Sequence, residues 1–305
     1  MPDGVMTKPR RAKLVAVAPE SVEPRKPKVL IYGPPGVGKT WASLDFPSVY
    51  YIDTEGGADL DHYRQKLRNS GGVYMGPDQG SLDFDVVIGQ IQALATEEHH
   101  FRTVVLDSVS KLWNTALVDE QEALGAKDAF GAYKKVPTRK FASLIKWINR
   151  LDMNGIFIAH QKEVWGMNDA KQREVVGYGP DCQDKVEYDL HLVLRIAKIG
   201  ASRYAYIGKS RLPSFPEGER FDWSYAEFAA RYGRDVIEKE AKPITLATPE
   251  QVEEVARLLE VVKMPEDWAE KCFKKANVDA WAEMDSAIIA AVIGSLNDKL
   301  KKLAA

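Results

Sequence analysis

A short glycine-rich segment near the beginning of the sequence has the residue types and spacing that bind phosphate groups. It matches the pattern G-x-x-x-x-G-K-[ST] at every position, through Gly33, Pro34, Pro35, Gly36, Val37, Gly38, Lys39 and Thr40. Glycines let backbone N–H groups turn towards the β- and γ-phosphates, and the start of a following helix adds a favourable dipole. We therefore expect Lys39 to contact phosphate oxygens of ATP and Thr40 to ligate Mg²⁺.

Carboxylates follow two further apolar runs. The run Phe101–Asp107, FRTVVLD, ends in Asp107, the position of a metal-binding Walker B aspartate. The next residue is Ser108 rather than glutamate, so the group that activates the attacking water must come from elsewhere. The run Tyr50–Glu55, YYIDTE, supplies a candidate in Glu55. A loop carboxylate without a chemical role is the competing interpretation of Glu55.

Taken together, the glycine-rich segment, the run ending Ile-Asp-Thr-Glu and the run Val-Val-Leu-Asp-Ser-Val-Ser resemble the RecA family of P-loop ATPases. The resemblance implies that Glu55 activates water and that His160 or Gln161, after the run Gly155–Ala159, senses the γ-phosphate. It also implies that Lys209 and Arg211 reach the γ-phosphate of a neighbouring subunit. Local hydrogen bonding by His160 and a plain surface location of the basic pair remain open alternatives.

A glycine-containing segment after Gln161 has no clear period, so we predict a long loop from Lys162 to Tyr188. The RecA resemblance implies that this loop contacts DNA. Trp165 and Tyr178 have side chains able to stack on bases. Cations and carboxylates balance here, so its charge does not favour phosphate contact: the residues are Lys162, Lys171, Arg173, Glu163, Asp169 and Glu174.

The order of these motifs is similar to that of small phage RecA-like recombinases that anneal single strands. That likeness implies single-stranded DNA binding, ATP and Mg²⁺ as cofactors, a homo-oligomeric ring or filament, and cooperation with a single-strand-binding protein. We find no aromatic oligomerisation motif in the first 25 residues.

The secondary-structure elements that position the candidate site residues are predicted to form an α/β core. Strands are predicted at Val29–Tyr32, Val49–Ile52, Thr103–Leu106, Gly155–Ala159, Leu190–Ile196 and Tyr204–Ile207. Helical patterns separate them, the clearest at Thr138–Leu151 with its apolar stripe. Near-continuous apolar strands flanked by helices favour a mainly parallel sheet covered on both faces.

Composition divides the chain into three parts. Residues 1–25 are rich in Pro, Lys and Arg and predict a basic flexible arm, with an inert tail as the alternative. Residues 26–243 form the predicted ATPase core. Residues 244–305 form a helical module that opens with the capping box Thr248–Gln251.

Bulk composition favours a reduced, cytoplasmic protein. The chain has 305 residues, a net charge of −2 and two cysteines, too few for a disulfide framework. A run of 18 apolar residues is absent, as is an apolar stretch of signal-peptide type, so we expect no membrane association. The near-neutral charge gives no global signature of nucleic-acid binding.

Several other P-loop proteins share the glycine-rich segment. An AAA+ remodelling or loader ATPase is disfavoured by Ser108, where Asp-Glu is expected. A nucleoside kinase needs an Arg-rich lid, and a GTPase needs Asn-Lys-x-Asp; we find neither. An ATP-gated binding protein with little turnover stays open.

Overall fold

Residues 24–128, 130–168 and 171–304 are described by the computed structural model. Most of the predicted basic arm, residues 1–23, therefore lies outside the described residues. The strands of the described part are β1 (Lys28–Tyr32), β2 (Val49–Asp53), β3 (Val73–Met75), β4 (Thr103–Asp107), β5 (Asn154–Ala159), β6 (Gln161–Met167), β7 (Arg173–Pro180), β8 (Leu192–Ile199), β9 (Ser202–Ser210) and β10 (Arg220–Asp222).

The central sheet has the strand order β10-β9-β8-β1-β5-β4-β2-β3 within the described chain. The six strands from β8 to β3 in this order are paired in parallel. At the other edge, β9 pairs antiparallel with both β8 and β10. The carboxyl ends of β1, β2, β4 and β5 consequently meet along the same edge of the sheet. The predicted α/β fold with a mainly parallel sheet is confirmed.

Helices cover both faces of this sheet. Their bounds in the described residues are α1 (Lys39–Ser43), α2 (Asp61–Asn69), α3 (Phe84–Thr96), α4 (Val109–Leu124), α5 (Lys135–Arg150), α6 (Val186–Asp189), α7 (Tyr225–Tyr232), α8 (Arg234–Glu238), α9 (Pro249–Val261), α10 (Trp268–Ala276) and α11 (Ser286–Ala304). Alternate residues of β1 enter opposite apolar layers, Leu30 with α3, α4 and α5, and Val29 with α1, α2, α7 and α8. The sheet is thus buried on both sides, as continuous apolar strands require.

The segment after Gln161 differs from the predicted long loop. Strands β6 and β7 pair as an antiparallel hairpin with a register shift between Val164 and Trp165. Most residues of the hairpin are exposed or half-buried, so neither of its faces is packed against the core. Its sequence therefore lacks the apolar–polar alternation by which a half-buried strand is predicted. Helix α6 follows where the remainder of the loop was predicted.

The last three helices have an apolar cluster of their own. Thr248 caps α9 by accepting the Gln251 amide hydrogen at 3.2 Å, and Gln251 accepts the Thr248 amide hydrogen at 3.0 Å. Ion pairs join these helices to α5, at Lys146–Asp279 (2.5 Å) and Arg150–Asp285 (2.7 Å). Among the described residues, no helix is both long and apolar enough to cross a membrane.

Candidate nucleotide-binding site

The glycine-rich segment joins β1 to α1 at the carboxyl edge of the sheet. Gly38 has φ 87°, a left-handed conformation that a residue with a Cβ atom adopts at a cost. A Cβ atom on Gly33 would lie 2.2 Å from the Ile196 carbonyl oxygen of β8, so the close approach of these backbones requires glycine there. The segment therefore has the strand–loop–helix context of a P-loop.

Lys39 lies over this loop. Its Nζ donates hydrogen bonds to the carbonyl oxygens of Gly33 (2.8 Å) and Pro34 (3.0 Å). Burial lowers the pKa of Lys39, and the charges of Asp107 and Glu55 oppose that shift. The ammonium group is therefore held at the mouth of the loop, between its backbone and the carboxylates.

Thr40 and Asp107 come together, as predicted for a Mg²⁺ site. The Thr40 hydroxyl donates to Asp107 Oδ2 at 2.6 Å, and the Tyr51 hydroxyl donates to the same oxygen at 2.7 Å. Burial raises the pKa of Asp107, while these two donors act in the opposite direction. A hydroxyl and a carboxylate next to the phosphate loop are the oxygen donors that Mg²⁺ prefers, so these residues fit the ion.

Glu55 is positioned by the turn that follows β2. The buried Asp53 carboxylate accepts amide hydrogens from Glu55 (3.1 Å), Gly56 (2.8 Å) and Ala58 (2.9 Å). It also accepts the Tyr74 hydroxyl hydrogen at 3.0 Å. These bonds satisfy backbone groups that would otherwise be unpaired, and they fix the direction in which the chain leaves the sheet.

The side chains of Ser108 and His160 converge on Glu55. His160 Nε2 lies 2.7 Å from Glu55 Oε1, and the Ser108 hydroxyl donates to the same oxygen. The predicted base and one predicted γ-phosphate sensor are thus in direct contact, at the ends of β2 and β5. The backbone amide of His160 donates to the buried Ser110 hydroxyl at 2.8 Å, which anchors the end of β5.

Gln161 begins the β6–β7 hairpin and faces the same cavity. Its Oε1 accepts from Arg195 Nε at 3.1 Å, and the Arg195 guanidinium lies 4.9 Å from the centre of the Tyr178 ring. The cavity encloses about 790 Å³ and is lined by the P-loop, Asp53, Glu55, Asp107, His160 and the hairpin residues Gln161, Glu163 and Tyr178. A volume of this size accommodates a nucleotide.

Lys209 and Arg211 lie at the other edge of the sheet. Lys209 pairs with Val193, which in turn pairs with Leu30, and the amide of Arg211 donates to the carbonyl of His191. Their side chains donate to the backbone carbonyls of Leu190 and Tyr188, respectively, at the end of α6. Lys209 is therefore level with Leu30, three residues before Gly33, and Arg211 is level with Lys28, five residues before it. At about 3.3 Å per residue these positions lie roughly 10 and 16 Å along the sheet from the start of the P-loop of the same subunit.

Several residues of the site were missed by the sequence reasoning. Tyr51, Asp53 and Ser108 each bond a residue of the predicted site, and the Arg203 side chain lies against Gly38. The motif runs already contained Tyr51, Asp53 and Ser108, which was the available signal. Arg203 carries no motif, and its location depends on the turn between β8 and β9.

Comparison with known proteins gives a family. A family described as an AAA domain, AAA_24, matches residues 25–220. No curated protein matches the chain. Among solved structures, the RadB recombinase is similar with 21% identity and a TM-score of 0.41, over 64% of this chain and 86% of that one. An ATPase from the type III secretion system of pathogenic bacteria is similar with 14% identity and a TM-score of 0.40, over 89% of this chain and 79% of that one.

The family match covers strands β1 to β9 of the sheet that carries the site and ends at the first residue of β10. It includes the P-loop, the Thr40–Asp107 pair and Glu55, all at the carboxyl edge of parallel strands. The chain therefore belongs to the AAA_24 family of AAA domains and is a P-loop ATPase.

Proposed function

We propose that this ATPase binds single-stranded DNA and anneals or exchanges strands, as a Mg²⁺-dependent oligomer of the phage recombinase type. One observation carries the proposal: the β6–β7 hairpin forms a wall of the nucleotide cavity through Gln161, Glu163 and Tyr178. If the outer part of this hairpin binds DNA, nucleotide binding at its inner part would therefore change the DNA affinity. The action belongs in the cytoplasm, where ATP and exposed single strands occur together.

The chemical roles follow from the contacts in the cavity. Thr40 and Asp107 would hold Mg²⁺, which would neutralise charge on the phosphates. Lys39 lies where it can reach the β- and γ-phosphate oxygens. Glu55 is the base for the attacking water, and His160 and Gln161 report the γ-phosphate to the hairpin.

The DNA contact of the proposal is assigned to the exposed apolar surface of the hairpin. Trp165 is 48% exposed, and Met167 and Val176 are 72% and 57% exposed, although such side chains are normally buried in a monomer. Arg173 lies 5.1 Å from the centre of the Trp165 ring, so a cation accompanies the aromatic platform. Base stacking rather than phosphate contact should supply most of the affinity.

The assembly state and partners also belong to the proposal. A self-assembled ring or filament would bring Lys209 and Arg211 of one subunit to the P-loop edge of the next. Cooperation with a single-strand-binding protein is proposed on the resemblance to phage recombinases. We further propose that residues 26–243 act as the ATPase core and residues 244–305 as a separate helical module, since the latter have their own apolar cluster.

A single experiment tests the main proposal. ATP hydrolysis is measured without DNA, with a single-stranded oligonucleotide and with the same sequence as a duplex, and annealing of complementary strands is measured with and without ATP. We expect single strands to stimulate hydrolysis several-fold more than duplex, and annealing to depend on the protein. Equal rates in all three conditions, together with no annealing, would reject DNA as the effector.

The competing functions predict other outcomes of the same measurement. The AAA description of the family favours a DNA-remodelling or loader ATPase, which would be stimulated by duplex or by a protein–DNA junction and would not anneal strands. The hydrogen bond from Ser108 and the contact with His160, both on Glu55 Oε1, favour an ATP-gated binding protein. Such a protein would bind DNA in an ATP-dependent way with turnover near background.

A further inference from the structure

The C-terminal helices form an apolar cavity between α10 and α11, next to their shared cluster, from which Trp268, Ala276, Met284 and Val292 contribute to the lining. It has a volume of about 660 Å³. From α10 it is lined by Trp268, Cys272 and Ala276, which recur every fourth residue and so share one helix face. From α11 the lining includes Ala287 and Ala291, which share a face for the same reason.

The cavity exists because the packing of α11 uses another side of that helix. Ile289 and Leu296 are fully buried against the α9 residues Val255 and Leu258. The neighbouring face remains open, and Ile288 there is 41% exposed. Helix α10 has no fully buried residue among those described. Alanine side chains are too short to close the space, which has the size of a ligand-binding pocket.

The charges around this cavity are positive. Lys271 and Lys275 line it, and no carboxylate is among its described lining residues. Burial raises the pKa of the Cys272 thiol, whereas the charges of Lys275 and Lys299 act in the opposite direction. Lys299 lies outside the lining, and its Nζ donates to Met264 Sδ at 3.2 Å. Lys271 pairs with Asp267 at 2.5 Å, but with side chains 69% and 53% exposed this pair is weak and exchangeable.

We propose that this cavity binds a peptide segment of a partner protein whose apolar side chains are flanked by carboxylates. The apolar side chains would fill the space between α10 and α11, and the carboxylates would face Lys271, Lys275 and Lys299. Recognition of amphipathic segments by apolar grooves between helices is a general mode of peptide binding. A DNA strand fits less well, because most of the lining is apolar and offers few polar groups to base edges.

This inference goes beyond the ATPase function and does not depend on it. It is tested by selecting a displayed library of random 12-residue peptides on the immobilised full chain. Enriched peptides are synthesised with a fluorescent label and titrated against the wild type and two double variants. Lys275→Glu with Lys299→Glu reverses the charge at the cavity, while Lys301→Glu with Lys302→Glu reverses exposed lysines outside its lining and serves as the matched control.

We expect the enriched peptides to combine Asp or Glu with large apolar residues. Their affinity should fall at least about tenfold in the Lys275/Lys299 variant and stay within about twofold in the Lys301/Lys302 variant. Ala291→Trp, which fills the cavity without changing charge, should also abolish binding. Circular dichroism and ATP hydrolysis verify that each variant is folded.

Three results would overturn the proposal. The first is that the selected peptides have no excess of acidic residues, and the second is that no peptide is selected. The third is that the Lys275/Lys299 variant binds the peptides as tightly as the wild type does. Competition by a single-stranded oligonucleotide would assign the cavity to DNA. Self-association of the chain that Ala291→Trp abolishes would assign it to a second copy.

Discussion

The hydroxyls of Thr40 and Tyr51 donate to the same oxygen of Asp107. This arrangement indicates that Tyr51 helps to orient the carboxylate. The Tyr51 phenol is buried and stacks on Tyr74 with ring centres 5.9 Å apart, so its hydroxyl direction is fixed. The hydroxyl thereby orients the Asp107 carboxylate relative to Thr40. Tyr51 is a positioning residue for the proposed metal site rather than a ligand.

The first prediction concerns Tyr51→Phe. Loss of one net hydrogen bond of about 1 kcal/mol to a carboxylate corresponds to roughly a fivefold effect. We expect the Mg²⁺ concentration for half-maximal hydrolysis to rise about fivefold, with ATP affinity in the absence of metal unchanged. A Mg²⁺ titration of the rate and a fluorescent-nucleotide titration in chelator measure the two quantities.

Tyr50→Phe is the matched control, because its hydroxyl bonds Gln90 and not the site. If the two variants respond alike, Tyr51 contributes only to packing.

The second prediction concerns Glu55→Gln. Glutamine keeps an oxygen that can accept from Ser108 and lie beside His160, but it cannot take a proton from water. We expect nucleotide affinity within about threefold of the wild type and hydrolysis reduced about 10²- to 10⁴-fold. A radiolabelled-phosphate release assay and an equilibrium binding assay distinguish the two effects. Wild-type turnover would transfer the role of the base to another carboxylate.

The sequence contained the phosphate loop and its carboxylates but not their supports. The spacing of glycine, lysine and threonine is sufficient to identify Gly33–Thr40 as a phosphate-binding loop, because this motif is rarely found in other structural contexts. Glu55 and Asp107 follow from strand ends. The Tyr51 contact depends on the register of β2 with β4, which sets Asp53 beside Asp107, and a single sequence carries no information on that register.

At the scale of elements, the hairpin is where sequence and structure differ most. Buried strands such as β1 were predicted within about one residue because burial on both faces imposes an unbroken apolar run. The β6–β7 hairpin satisfies its backbone internally and buries neither face, so nothing in its pattern distinguishes it from a loop.

The third prediction uses this exposed element. Trp165→Ala removes the aromatic platform without touching the cavity wall formed by Gln161 and Tyr178. We expect the basal hydrolysis rate to stay within about twofold, while affinity for single-stranded DNA falls about 5- to 150-fold, as for the loss of one stacked base at about 1–3 kcal/mol. Fluorescence anisotropy of a labelled oligonucleotide measures it. Val118→Ala, also at an exposed apolar residue, is the control.

If Trp165→Ala and Val118→Ala lose DNA affinity equally, the loss is a general result of removing an exposed apolar side chain and does not assign DNA binding to the hairpin.

The fourth prediction concerns the first residue of β1. Lys28 is buried and donates to the carbonyls of Leu151 (2.7 Å) and Met153, and burial lowers its pKa from 10.5 to about 7. Between these values the unfolded chain binds a proton that the folded chain does not, so stability rises with pH. Below about pH 7 the native state carries the full cost of the buried charge.

Replacement of Lys28 by Met should therefore flatten this dependence. We expect the free energy of unfolding of the wild type to rise by up to about 1.4 kcal/mol per pH unit between about pH 7 and 10 from this group, and the variant to lack that contribution. Urea titrations at pH 7, 8 and 9 measure both slopes. Lys26, with a pKa lowered by burial to about 8, adds a slope of the same sign in both proteins. If the free energy of unfolding depends on pH equally in the wild type and the variant, the pKa of Lys28 is not lowered in the folded protein.

At the scale of the whole molecule, the proposed action of Lys209 and Arg211 on a phosphate depends on assembly of subunits. They face the edge of the sheet opposite the P-loop and bond carbonyls at the end of α6. Within one subunit they are structural. Stacking of subunits edge to edge would bring them to a neighbour's nucleotide.

The fifth prediction is that this pair acts between subunits. The double variant Lys209→Ala, Arg211→Ala should retain ATP affinity but lose DNA-stimulated hydrolysis. Mixing it with Glu55→Gln should restore part of the rate, because some junctions then combine an intact Glu55 with an intact pair. Rates are measured over a range of mixing ratios, with co-assembly verified by crosslinking. Absence of recovery in co-assembled subunits would restrict the pair to its own subunit.

The strand order also has a consequence for how the chain folds. β5 lies between β1 and β4, so the loop after β1 and the aspartate after β4 become neighbours only when a strand from later in the sequence has been inserted. Such non-local pairing is slow, since loop closure costs entropy before contacts repay it. A chain emerging during synthesis therefore has no nucleotide site until residues near 159 are in place. ATP would then bind only after β5 has paired with β1 and β4, and its binding energy would stabilise the paired strands relative to every state in which β5 is not inserted.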